Sequence, residues 1–249
     1  MKQEQRTVNS LSGKSALVTG GAKRIGRAIA LELAHAGADV TITYRSSGDE
    51  AVETVDAIEQ LGRRGFAVEC NVRSEESVRA AVAAVVAEHG RLDILVNNAG
   101  VFQSAQLNQL TLEQWDEVFE TNARGPFVVS REALPHLRAA GGRIIHLGSL
   151  GGMRAWVSHA HYCASKAALH MLTQAQAKAF APEVAVNCVA PGFIEMDEQD
   201  EEGAEHFAAK TPMRRNGTGE DVARAVLFFA AAPEFITGQI LAVDGGLGL

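Results

Sequence analysis

Tyr162 and Lys166, four residues apart in the stretch Tyr162-Cys163-Ala164-Ser165-Lys166, are the pair in this chain whose types and spacing most readily do chemistry. On a helix, residues i and i+4 share a face, so the lysine ammonium can reach the neighbourhood of the phenol. A free tyrosine has a pKa of about 10, and an adjacent ammonium favours the phenolate and lowers that value. The phenol is then expected to trade protons near neutrality. The same spacing occurs on ordinary amphipathic helices, so its weight depends on two companions. Ser149 lies upstream, and Thr19-Gly20-Gly21-Ala22-Lys23-Arg24-Ile25-Gly26 forms a glycine-rich turn near the N-terminus. Together the three features read as an oxidoreductase.

Gly20, Gly21 and Gly26 follow a first strand and open a helix, so backbone N–H groups and the helix N-terminus can approach a pyrophosphate closely. Arg45 follows the second strand. An acidic residue there would bind the ribose hydroxyls of NAD, whereas an arginine accommodates a 2′-phosphate, so the expected cofactor is NADPH/NADP+. Lys23 and Arg24 add positive charge at the same end, and Ser46 and Ser47 can donate hydrogen bonds to phosphate oxygens.

The elements that must carry these residues alternate. Short β-branched runs (15–19, 40–43, 66–70, 92–96, 143–147, 184–189, 240–243) are separated by helical periods (25–36, 50–61, 75–89, 112–122, 127–139, 162–180, 220–230). This alternation predicts an α/β Rossmann fold, a doubly wound parallel sheet of about seven strands with helices on both faces. Gly90 and Gly141 mark helix ends. Residues 191–219 form the one long irregular stretch, read as a substrate loop.

With 249 residues, 47% apolar and 21% charged, the chain is expected to fold as one domain over 13–249, behind a flexible tail at 1–12. A net charge of -7 argues against nucleic acid or anionic membrane as a partner. No apolar stretch has the length of a membrane span or a signal core. Cys70, Cys163 and Cys188 are too widely spaced for a disulfide framework or zinc site, which fits a reducing cytoplasm. His159 and His161 lack carboxylate or cysteine company, so no metal is expected.

The ordered set Thr19-Gly20, Asn97-Asn98-Ala99-Gly100, Asn122, Ser149, Tyr162, Lys166, Pro191-Gly192 and Asp244-Gly245-Gly246 resembles the short-chain dehydrogenase/reductase superfamily over essentially the whole chain. The resemblance implies carbonyl–alcohol interconversion with a nicotinamide as hydride carrier. Tyr162 would donate the proton, Ser149 would hydrogen-bond the same oxygen, and Lys166 would hold the nicotinamide ribose and depress the tyrosine pKa. Asn122 would anchor a water relay at a helix interruption near Gly125-Pro126, while Ser165 is read as a helix-facing hydroxyl. The Asn98, Ala99, Gly100 stretch would close the fourth strand beside the adenosine, and Pro191 and Gly192 would border the nicotinamide. Ile25, Asn71, Val72 and Ile194 complete the implied cofactor contacts, with Asn71 standing where an aspartate often meets adenine and Met196 where a threonine is common. Helices 127–139 and 162–180 would pair across subunits into a homotetramer or homodimer, with Leu247-Gly248-Leu249 apolar enough to be buried there.

Arg24 replaces the usual glycine of the first turn, which resembles the turn of the pteridine reductase branch. Phe102, where that branch stacks a pterin, agrees with it, and His159 is placed beside the same pocket, although the branch carries an aspartate where Ser149 stands. The expected substrate is a small carbonyl or pterin-like molecule. The rival within the family is 3-oxoacyl-(acyl-carrier-protein) reduction. The arginines that would dock its carrier fall at Pro135 and Glu183, and the stretch Glu195, Asp197, Glu198, Asp200, Glu201 and Glu202 would repel an acidic partner. A third reading, a non-catalytic NADP-sensing regulatory protein, has no need of the intact Asn122, Ser149, Tyr162 and Lys166.

Overall fold

The computed structural model describes residues 10–195 and 201–249. Residues 1–9 of the tail, and Met196, Asp197, Glu198 and Asp200 of the acidic stretch, lie outside the described residues. Seven strands, β1 Ser15–Val18, β2 Asp39–Tyr44, β3 Gly65–Glu69, β4 Ile94–Asn97, β5 Arg143–Leu147, β6 Ala185–Pro191 and β7 Ile240–Val243, form one sheet in the order β3-β2-β1-β4-β5-β6-β7. All six pairings are parallel. Eight helices connect and flank them: α1 Arg24–His35, α2 Gly48–Gln60, α3 Glu75–His89, α4 Leu112–Phe119, α5 Gly125–Ala140, α6 Ala160–Phe180, α7 Glu201–Lys210 and α8 Gly219–Ala231.

The strands alternate their side chains between two cores, which is why they read as unbroken apolar runs. Val18, Val40, Val96 and Ile145 face α1 and α8, where Ile29, Leu33, Val226 and Phe229 are buried. Leu17, Leu95, Ile144 and Val186 face α3 and α5, against Val82, Val85 and Leu137. Gly90 and Gly141 end α3 and α5 at φ +73° and +59°, the left-handed conformation that only glycine adopts freely.

Strand order reverses between β1 and β4, and ligands of such sheets sit in the crevice at the carboxyl ends beside the reversal. Gly20, Arg45, Asn98 and Ser149 each follow a strand at that edge, and Pro191 closes β6 there. One expectation needs correction. Residues 191–219 are not wholly irregular, because α7 lies within them and an isolated bridge pairs Ile194 with Gly217. The helix interruption expected near Gly125-Pro126 is a π-helical turn, Glu120–Arg124, after which α-helix resumes at Gly125.

Asp93 fastens the amino ends of β1 and β4. Its buried carboxylate accepts from Arg91 Nη2 at 2.6 Å, Arg91 Nε at 2.7 Å, Lys14 Nζ at 3.0 Å and Ser15 N at 3.0 Å. Burial pushes its pKa up, but Arg91, the Ser15 N–H and Lys14 outweigh this and hold it below 3.8. A carboxyl lowered on folding contributes stability above its unfolded pKa, and loses it as pH falls through the folded value. Asp93→Asn is therefore expected to cost about 3 kcal/mol of unfolding free energy at pH 7. In urea denaturation that deficit should shrink as the pH is lowered through and below the ordinary carboxylate range, where Asp93 itself takes up a proton.

Candidate active site

Tyr162 lies in the first turn of α6, facing the turn that leaves β5. Ser149 caps a short 3-10 turn, Leu150–Gly152, by accepting from Gly151 N at 3.0 Å. Its hydroxyl lies near enough to the Tyr162 hydroxyl to favour the phenolate. One helical turn on, Lys166 is buried, donates from Nζ to Leu147 O at 2.7 Å and stands 5.8 Å from the Tyr162 ring centroid. Burial lowers its pKa to about 8. The expected depression of the tyrosine is not met by the protein's own groups: burial raises the Tyr162 pKa, and the neighbouring Ser149 hydroxyl only opposes this. The phenol accordingly keeps its proton through neutral pH.

Asn122 occupies the π-helical turn, fully buried. Its Oδ1 accepts from Val101 N at 2.8 Å, and its Nδ2 donates to Val101 O at 2.9 Å and to Ser165 Oγ at 3.2 Å. Ser165 in turn donates to Tyr162 O at 2.7 Å. Ser165 is thus not merely a helix-facing hydroxyl: it ties the π turn to the segment that carries Tyr162.

Aromatic rings wall the mouth. Phe102, 60% exposed, stacks on His159 at 4.6 Å between centroids and meets Tyr162 edge-on at 4.8 Å. Trp156 lies nearly parallel to Tyr162 at 6.0 Å and edge-on to Phe102 at 6.4 Å. A Cβ on Gly151 would come within 3.3 Å of both the Trp156 and Tyr162 rings, so the glycine admits their packing. Burial, then the neighbouring His161, lowers the His159 pKa. The rings present flat, apolar faces beside a proton-bearing hydroxyl.

A second cleft, about 200 Å³, opens beside the glycine turn. Gly20, Lys23, Arg45, Ser46, Asn71 and Val72 line it, with Ala99 and Gly100 on the opposite wall. Asn98 and Gly26 shape it from behind. Asn98 Nδ2 donates to Thr19 O and Gly20 O, both at 2.9 Å, and a Cβ on Gly26 would meet Gly20 O at 2.2 Å. Arg24 opens α1 at φ +55°, an unusual conformation for a non-glycine residue. Lys23 pairs with Glu50 at 3.2 Å. Ile25 packs against the core, Ile194 is buried within it, and Gly192 lies against Asp244, away from this cleft. Arg73 and Thr121 line it as well, without any spacing signal to mark them. The Thr121 hydroxyl is buried with no hydrogen-bond partner. A backbone cradle that no side chain could enter, basic residues at its rim and an orphaned hydroxyl in its wall fit a dinucleotide.

The sequence matches the family described as Enoyl-(Acyl carrier protein) reductase over residues 20–248. The chain is a short-chain dehydrogenase/reductase. A 3-oxoacyl-(acyl-carrier-protein) reductase FabG of Staphylococcus aureus is 39% identical to this dehydrogenase/reductase over 240 residues, 94% of this chain and 98% of that protein. A trihydroxynaphthalene reductase of Colletotrichum orbiculare is 38% identical over 254 residues, 95% of this chain and 90% of that protein. Among solved structures, a short chain dehydrogenase of Burkholderia cenocepacia in complex with NADP superposes with a TM-score of 0.91 at 41% identity, covering 97% of this chain and 100% of its own. As a member of this family the protein is an oxidoreductase acting on a carbonyl or CH–OH group.

The cradle makes a direct demand on Gly26. Gly26→Ala forces a methyl group onto a backbone oxygen and is expected to cost about 1–3 kcal/mol of stability through overpacking. A thermal melt of this variant matching that of the parent would contradict the packing described.

Proposed function

We propose that this dehydrogenase/reductase uses NADPH to reduce a flat, ring-bearing carbonyl or pterin-like substrate, with Tyr162 as proton donor. The observation that carries the reading is the placement of the Tyr162 phenol, with Ser149 beside it, beneath the rings of Phe102, His159 and Trp156. The dinucleotide, when bound, would supply the hydride. Lys23, Arg45 and Ser46 would hold its adenosine phosphate, while Tyr162 and Lys166 would face its nicotinamide ribose. Support comes from the Burkholderia relative, which was solved with NADP, and from the fungal relative, whose name specifies a fused-ring substrate.

Tyr162 holds its proton at neutral pH because burial disfavours the phenolate, and can pass that proton to an alkoxide as it forms. Ser149 Oγ would donate to the same oxygen, its own geometry fixed by the Gly151 N–H. The Lys166 ammonium, behind the ring, stabilises the phenolate left after transfer. Asn122 would hold the water through which that phenolate is reprotonated.

The 39% identity to FabG favours a second reading, reduction of a 3-oxoacyl thioester. A panel of flat aromatic ketones, quinones, dihydropterins and acetoacetyl thioesters, followed by NADPH oxidation, separates the two. Tyr162→Phe is expected to lower kcat on the preferred substrate by at least about 100-fold. Phe102→Ala should raise KM for a ring substrate by about 2- to 10-fold, the worth of one aromatic contact, and leave a thioester unaffected. The highest kcat/KM on the thioester would overturn the ring-substrate reading, and an NADH preference would overturn the role of Arg45. Tight NADPH binding without turnover on any substrate, unchanged by Tyr162→Phe, would identify a sensor.

A further inference from the structure

The turn that carries Ser149 is filled from behind by a side chain of α6. His170, buried, enters it between two glycines. A Cβ on Gly148 would fall 2.3 Å from the imidazole Nε2, and a Cβ on Gly152 would fall 2.6 Å from its Cε1 and 2.8 Å from its Nδ1. Neither position could carry a side chain while the ring is there. The Ser149 backbone N–H donates to Nε2 at 3.4 Å. Burial, and then the nearby Lys166 ammonium, lower the imidazole pKa to about 4. The ring is neutral, and because Nε2 accepts, the proton is assigned to Nδ1. Tyr162, Lys166 and His170 follow one another at intervals of four, so a single helical face carries the phenol, the ammonium and the imidazole that backs the serine.

We propose that His170 is a positioning residue for Ser149: it fixes the backbone from Gly148 to Gly152 so that the serine hydroxyl stays beside the Tyr162 hydroxyl and on the substrate oxygen. A ring wedged between two glycine backbones has one orientation available, and its acceptor satisfies the buried Ser149 N–H. An apolar side chain of similar size would fill the space but leave the Ser149 N–H unpaired and the turn free to shift. Glutamine can return an acceptor near the place of Nε2. Asparagine is shorter and reaches only the place of Nδ1.

The proposal rests on Ser149 serving the substrate oxygen, so Ser149→Ala is measured alongside His170→Leu, His170→Gln and His170→Asn. Each is followed by steady-state kinetics on the preferred substrate, NADPH titration and thermal melting. His170→Leu is expected to lower kcat by about 10- to 100-fold, the usual cost of an ångström-scale misplacement, while leaving the NADPH dissociation constant within about twofold. His170→Gln should recover to within about threefold of the parent, and His170→Asn should remain as low as the leucine variant. Wild-type kcat in His170→Leu, or equal kcat in the glutamine and asparagine variants, overturns the proposal. If the leucine variant does not fold, the contrast between glutamine and asparagine decides alone. Full activity in Ser149→Ala would overturn the reading of Ser149, and the proposal with it. An impaired Ser149→Ala beside a fully active His170→Leu would overturn the proposal alone.

Discussion

A buried ammonium is the constraint around which the site is arranged. Lys166 donates to the carbonyl of Leu147 at the end of β5, and burial costs it enough to bring its pKa to about 8. Its neighbours are chosen to tolerate that charge. His146 and His170 are both held to about 4, by burial first and with the lysine as a further cause, so neither adds a second positive charge at neutral pH. The Cys188 thiol is pushed up to about 12 by burial, so it stays neutral despite the ammonium. The charge is thereby left to act on the one group it faces that changes state, the Tyr162 ring.

The fold supplies this arrangement through two registers. The parallel sheet brings the ends of β1, β2, β4 and β5 to one edge, and the change of strand order there opens the crevice. Across that edge, α6 runs with Tyr162, Lys166 and His170 at a helical repeat. The π-helical turn places Asn122 against both Val101 and Ser165, so the loop after β4 and the helix bearing the tyrosine are tied through one side chain. Such turns frequently occur where a side chain must leave helical register to serve a site.

Much of this was legible in the sequence because it depends on local pattern. β-Branched runs and helical periods located all seven strands to within a few residues, and the glycine turn lay at the expected junction of β1 and α1. What was not legible depends on long-range contact. The π turn is stabilised by Asn122 reaching Val101, and no local spacing announces it. The raised Tyr162 pKa of the chain by itself was not legible either, because the lysine spacing is visible in sequence, whereas burial is a tertiary property. Trp156 and His170 carry no motif. One becomes a pocket wall only when the loop before α6 folds over Tyr162, and the other becomes a wedge only when Gly148 and Gly152 close around it.

The most direct test of the account is the titration of Lys166 itself. Nitrogen-15 NMR of lysine-labelled protein, with the Nζ resonance assigned by comparison with Lys166→Met, reads the ionisation of that ammonium without reference to turnover. The account predicts a midpoint near 8, well below the ordinary lysine value. A midpoint at the ordinary value of about 10.4 would contradict it, because an ammonium that pays no penalty for burial is not held where the rest of the site requires it.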